Sequence, residues 1–82
     1  MHGHDAYPGL DRKAAALLDS IVGNRPLVDG NKRLGWLAVV VFYGLNDVDL
    51  DAPDDPAHDL VVSVARRDVS IDEIAAVLAC WH

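Results

Sequence analysis

The sequence predicts an all-α fold, a small antiparallel bundle of about four helices, and three observations carry that expectation. Apolar residues recur at helical spacing in three separate stretches, a further stretch is apolar all round, and no segment alternates apolar with polar residues as a strand would. With 82 residues, 51% hydrophobic and 24% charged, the chain has a globular composition and enough length for one core. Residues 1–82 are therefore expected to form a single domain whose first ten or so residues are irregular. A domain of this size buries only ~60–65% of the surface its unfolded chain exposes, so self-association or a partner is expected to cover part of the rest.

Ala14, Leu17, Leu18, Ile21 and Val22 follow the i, i+3, i+4, i+7, i+8 rule, which predicts a helix over 12–23 with Asp11 as its N-cap. Gly23 and Asn24 end it. Pro26 disfavours helix at Arg25, and Asp29-Gly30 is turn chemistry, so residues 24–30 are expected to be a loop. A second helix starts near Asn31 and runs through Trp36 to Tyr43 without a polar face, as a helix surrounded by others would. The triplet Val39 to Val41 would also suit a buried strand, but the length of the run favours helix. Gly44 and Asn46 stop it. Asp55 before Pro56 reads as N-cap and first helical residue of a third helix carrying Ala57, Leu60, Val61, Val64 and Ala65. Ser70 and Glu73 form a capping box that opens a last helix with Ile71, Ile74, Ala75 and Leu78 on its apolar face.

The formal net charge is −6, unevenly placed: residues 1–33 hold five basic against four acidic side chains, while residues 34–82 hold only Arg66 and Arg67 against nine. Any bound anion should therefore sit near the first third. A direct nucleic-acid function is not expected, because neutralising phosphates needs a basic face. Cys80 is the only cysteine, so an intramolecular disulfide is excluded, and its apolar neighbours suggest an inert core thiol. The longest apolar run, Trp36 to Tyr43, is too short to span a bilayer, and MHGHDAYPGL has no signal-like stretch, which points to a cytoplasmic protein without membrane contact.

One constellation carries chemistry. Val28-Asp29-Gly30-Asn31-Lys32-Arg33 places a carboxylate, a glycine and two cations at the start of a helix, where unpaired backbone N–H groups already favour an anion. A phosphate would fit there, and Asp29 is the hard oxygen ligand that Mg²⁺ uses when substrate phosphates and water complete its shell. The spacing excludes a Walker A loop, since Asn31 precedes Lys32 and no Ser or Thr follows the lysine. The same residues also make an ordinary Asp-Gly turn followed by a solvated basic first turn, so the residues alone leave both readings open.

The stretch NRPLVDGNKRLG resembles the signature loop of the Fic/Doc family, written HPFxDGNKR in its toxin-like members. Downstream, the acidic LDAPDDPAHDL turn and the VSIDEIAAVL helix look like the C-terminal half of Doc toxins, so the resemblance covers most of residues 7–80. It implies transfer of a phosphoryl or nucleotidyl group from a Mg²⁺-nucleotide, ATP above all, to a protein hydroxyl, with elongation factor Tu as target and a Phd-type antitoxin as partner. By resemblance, Asp29 would hold Mg²⁺, while Gly30, Asn31 and Lys32 would surround the nucleotide phosphates and Arg33 would pair with a further one. Lys32 stands where AMP-transferring relatives have a second glycine, which looks like the phosphorylating Doc branch.

Two departures bear on activity. Arg25 replaces the histidine that takes the proton from the target hydroxyl, and a guanidinium with a pKa above ~12 cannot act as a base near neutral pH. Leu27 for the family's Phe is a milder change. Family members also have a longer N-terminal region, so part of the family fold is expected to be missing. Three readings compete: a Doc-like transferase impaired at Arg25, a truncated and inactive homologue that binds nucleotide or antitoxin, and a helical interaction domain in which the loop is only a turn. Elsewhere, His2 and His4 form an HxH near the terminus, and Cys80, His82 and Asp72 could be imagined as a nucleophile set. His58, expected on a solvated face, is the only mid-chain histidine that could replace the missing base. Trp36 and Trp81 read as structural, and Arg66-Arg67 as a solvated helix end.

Overall fold

The computed structural model describes the backbone of residues 3–23 and 29–82, with side chains for 9–23 and 32–82. Four α-helices follow in order: α1 (Gly3–Leu18), α2 (Asp29–Leu45), α3 (Asp54–Ala65) and α4 (Ile71–Ala79). A wider π turn over Asp19–Gly23 continues α1, and no strand occurs among the described residues. The fold is all-α, as the apolar spacing predicts.

The core lies where α1 meets α4 and α2. Leu10, Ala14, Ala15 and Leu18 of α1 are buried, and their spacing of three and four residues makes one continuous stripe, with Val22 extending it along the π turn. Ala14 and Ala15 carry no bulk, which lets Ile74 and Leu78 of α4 come close. Val39 and Tyr43 enter from α2, and Leu60, Val61 and Val64 from α3. Where α2 crosses the end of α1, Gly35 is required: a Cβ there would fall inside the van der Waals shell of Val22 Cγ2 and 3.2 Å from Leu18 Cδ1. Val22 is β-branched and buried, so it cannot swing away. Gly35→Ala is therefore expected to lower stability by about 1–2 kcal/mol despite alanine's better helix propensity, because overpacking costs ~1–3 kcal/mol and propensity returns at most ~1. Gly44, with nothing within 4 Å of its would-be Cβ, should show the opposite sign when replaced by alanine. Denaturant melts of both variants at low protein concentration compare them directly.

The helix ends show where local signals hold and where tertiary structure overrides them. Ser70 Oγ accepts from the Glu73 N–H at 3.1 Å, and Glu73 Oε1 accepts from the Ser70 N–H at 2.9 Å, which is the capping box read from the sequence. α2 stops in a Schellman turn: the Val48 N–H donates to the Tyr43 carbonyl, the Asp47 N–H donates to the Gly44 carbonyl, and Asp47 takes the left-handed conformation at φ 61°. Gly44 stays inside the helix, contrary to its expected role as a stop. α3 starts at Asp54 with Pro53 as N-cap, two residues before the expected cap at Asp55 and first helical residue Pro56. Pro56 is accommodated because it lies in the first turn, where backbone N–H groups have no helical acceptor in any case.

Asp11 is the clearest correction. It was expected to cap the first helix after an irregular segment of about ten residues, yet α1 begins at Gly3 and Asp11 lies within it, 6% exposed. Its Oδ1 accepts from the Tyr43 hydroxyl at 2.6 Å and lies 2.7 Å from His82 Nε2, tying α1 to α2 and to the C-terminal residue. The Tyr43 and His82 rings lie 5.2 Å apart. Burial, with the neighbouring Asp11 carboxylate accepting the hydroxyl's hydrogen bond and repelling a phenolate charge, holds the Tyr43 hydroxyl far above the ordinary phenol range. Cys80 is exposed and donates to the Ala76 carbonyl, so it is not the core thiol its neighbours suggested. Arg67, expected to be merely solvated, donates to the Gly23 carbonyl at 3.4 Å and so reaches the end of the π turn.

Candidate functional site

The first turns of α2 and α3 face a common cleft of about 540 Å³. Lys32, Arg33 and Trp36 line it from α2, Ala52 from the connection, and Asp54, Ala57, His58 and Val61 from α3. α2 supplies Lys32 and Arg33 in its first turns because the helix starts at Asp29, two residues before the expected start at Asn31. The cations thus emerge beside the end where backbone N–H groups are unpaired and the helix dipole is positive.

Trp36 serves two surfaces. It is half-buried rather than fully in the core, and its ring meets Trp81 edge-on with centroids 6.1 Å apart. Trp81 is anchored in turn by its carbonyl, which accepts from the Asp51 N–H at 2.8 Å. The C-terminal residues therefore brace one wall of the cleft and the connection beside it. The remaining wall is apolar, from Ala57 and Val61, so the cleft combines an aromatic face, an apolar floor, two cations, one carboxylate and one imidazole.

Of the residues singled out from the sequence, Lys32 and Arg33 are brought together in this cleft. Asp29, Gly30 and Asn31 are the first three residues of α2 by backbone, and their side chains lie outside the described residues, as does Arg25 altogether. Asp54 was not singled out; in the sequence it is one of several acidic residues in a turn, and only the packing of α3 against α2 distinguishes it. His58 is exposed as expected, but it opens onto the same cleft as the two cations. The Cys80, His82 and Asp72 set is dispersed: Asp72 pairs with Arg12, His82 with Asp11, and Cys80 with its own helix. His2 and His4 fall outside the described side chains, and no group of three metal-ligating residues occurs among those described.

A helical fold whose second helix opens with Asp-Gly-Asn-Lys-Arg beside a cleft defines a class. The Fic/DOC family profile matches residues 1–43, the half of the chain that ends in α2, and the chain belongs to the Fic/Doc family. It is similar to a protein named Toxin Doc from Mycolicibacterium smegmatis, with 52% identity over 81 residues. The match covers 96% of this chain and 62% of that protein, so the chain spans less than two thirds of its relative's length. No solved structure matches the chain. No helix of the described residues is long and apolar enough to cross a membrane.

Proposed function

We propose that the chain is a Doc-like toxin component whose cleft between α2 and α3 takes a Mg²⁺-nucleotide, ATP in the first instance. The observation that carries this reading is the placement of Lys32 and Arg33 beside Trp36 and Asp54. Two cations suit phosphates, an indole face suits a base, and a carboxylate among them suits the divalent ion that accompanies the phosphates. Asp29, the residue that the family resemblance gives to the metal ion, is the first residue of α2, and the backbone N–H groups of Gly30 and Asn31 belong to the same first turn. When bound, Mg²⁺ neutralises phosphate charge.

The reaction is phosphoryl transfer to a protein hydroxyl, for which elongation factor Tu is the first target to test; adenylyl transfer is the less favoured form. The hydroxyl oxygen bonds to the γ-phosphorus as the bond to ADP breaks, and the hydroxyl proton needs an acceptor. Arg25 cannot be that acceptor because it is always protonated. Turnover is therefore low, and His58, which lines the cleft, is the imidazole to test as a substitute acceptor. A Phd-type antitoxin and self-association are the proposed protein contacts, in the cytoplasm and as one domain. Arg25 also favours a second reading, in which the chain binds nucleotide or antitoxin without turnover.

Trp36 supplies the readout. Titration with Mg²⁺-ATP is expected to change tryptophan emission saturably, and Asp29→Ala or Lys32→Ala should weaken binding at least tenfold by removing a charge-assisted contact worth ~1.5–3 kcal/mol. Asp59→Ala, on α3 but outside the cleft, serves as the control. Absence of binding by the parent chain at millimolar nucleotide would sink the transferase reading and leave the second reading only as an antitoxin-binding module.

A further inference from the structure

Trp81 does not line the cleft, yet it holds one residue that does and the neighbour of another. Its ring meets that of Trp36 edge-on, with the planes 82° apart, and its carbonyl accepts from the N–H of Asp51, which precedes Ala52 on the connection into α3. His82 follows directly, with Nε2 on Asp11 and its ring beside Tyr43. Trp36, Val39 and Tyr43 lie on one stripe of α2, so residues 81 and 82 engage points two turns, about 10 Å, apart along that helix. The segment after α4 therefore runs along α2.

The end of α4 needs none of these contacts. The Cys80 and Trp81 N–H groups already donate to the carbonyls of Val77 and Leu78, which closes the helix. The ring and carbonyl of Trp81 are thus left for tertiary contacts, and both go toward the cleft. A half-buried indole has several staggered orientations open to it, and an edge-on aromatic neighbour at 6.1 Å selects among them because the contact depends on tilt as well as distance. On α2, Lys32 and Arg33 stand four and three residues before Trp36, so cations and indole share one face of the helix. Phosphates and base of one ligand would divide along that face.

We infer that Trp81 is a positioning residue for the cleft: it fixes the Trp36 indole in the orientation that meets a planar base and, through the Asp51 N–H, holds in place the connection that carries Ala52. Its role in base recognition rests on the reading of the cleft as a nucleotide site. What it adds is that selection for the base is set from outside the cleft, by a residue that touches neither base nor phosphate. The phosphates fall to Lys32 and Arg33, which Trp81 does not reach through Trp36, so the two halves of the ligand should respond differently to its loss.

The chain has two tryptophans, so replacing Trp81 leaves Trp36 as the sole indole emitter. Trp81→Phe keeps an aromatic edge, and Trp81→Leu keeps apolar bulk without one. Trp81 is half-buried and follows the last helix, so both variants of the full chain are expected to retain their helical circular dichroism. Without any ligand, acrylamide should quench Trp36 at least twofold more steeply in Trp81→Leu than in Trp81→Phe. Calorimetric titration with Mg²⁺-ATP, and with Mg²⁺-tripolyphosphate, which has no base, reads the consequence. Trp81→Leu is expected to weaken ATP at least threefold relative to Trp81→Phe, within the range an aromatic pair contributes, and to leave tripolyphosphate unchanged. Equal losses for the two ligands, or none for either, would overturn the role in base recognition and make Trp81 structural only. Quenching that is the same in both variants would overturn the positioning itself. A parent chain that binds no ATP would overturn the reading of the cleft and base recognition with it, and the two failures are told apart because the quenching comparison needs no ligand.

Discussion

Arg25→His is expected to raise phosphoryl transfer to elongation factor Tu by ~10²- to 10⁴-fold, the usual contribution of one positioned general base. In the proposed reading Lys32 and Arg33 serve the phosphates and Trp36 the base, and Arg25 stands in the sequence where the family resemblance puts the histidine that accepts the hydroxyl proton. The measurement is label on the target after incubation with Mg²⁺ and γ-labelled ATP, for the parent, Arg25→His and Arg25→His with Asp29→Ala. Transfer by Arg25→His that Asp29→Ala removes would establish a site silent only at its base. Residual transfer by the parent that falls in His58→Ala, with nucleotide binding unchanged, would assign the proton to His58. Transfer by none of them, with nucleotide still bound, would favour the binding module over the enzyme.

Part of this molecule is legible in its sequence and part is not, and the division follows how local the determining contacts are. The apolar spacing in α1, α3 and α4 and the Ser70–Glu73 box are local, each set by residues within about one turn, and the structure reproduces them. The start of α1 is not legible locally, because Pro8 and Gly9 are weak helix formers and a short carboxylate before an apolar run looks like a cap whichever way it is used. What distinguishes Asp11 is Tyr43, thirty-two residues away, and no local pattern encodes that. Asp54 and His58 enter the candidate site for the same reason, through the approach of α3 to α2. Trp36 to Tyr43, apolar all round, correctly announced a helix but not how much of it this chain leaves uncovered.

Asp11→Ala is expected to destabilise the fold by about 2–4 kcal/mol, because it strips the buried Tyr43 hydroxyl of its acceptor and His82 of its anchor in one step. At ~0.05–0.15 kcal/mol per residue that is a large part of the whole stability of a domain this size. Asp11→Asn keeps an acceptor oxygen and should cost less. Tyr43→Phe removes the donor as well as the need for it, leaves His82 in place, and should cost only ~1 kcal/mol, so a double-mutant cycle with Asp11→Ala should show strong coupling. The pH dependence isolates the hydroxyl. An unfolded tyrosine loses its proton near pH 10, whereas Tyr43 in the fold holds its proton well beyond that. Above about pH 10 the unfolded state therefore binds fewer protons than the folded one, and stability falls with rising pH at up to ~1.4 kcal/mol per pH unit from this group alone. Below pH 10 the group contributes no slope. Urea melts of the parent and of Tyr43→Phe at pH 8, 10 and 11 should converge as pH rises, and an equal loss in both would show that the alkaline limit of this fold is set elsewhere.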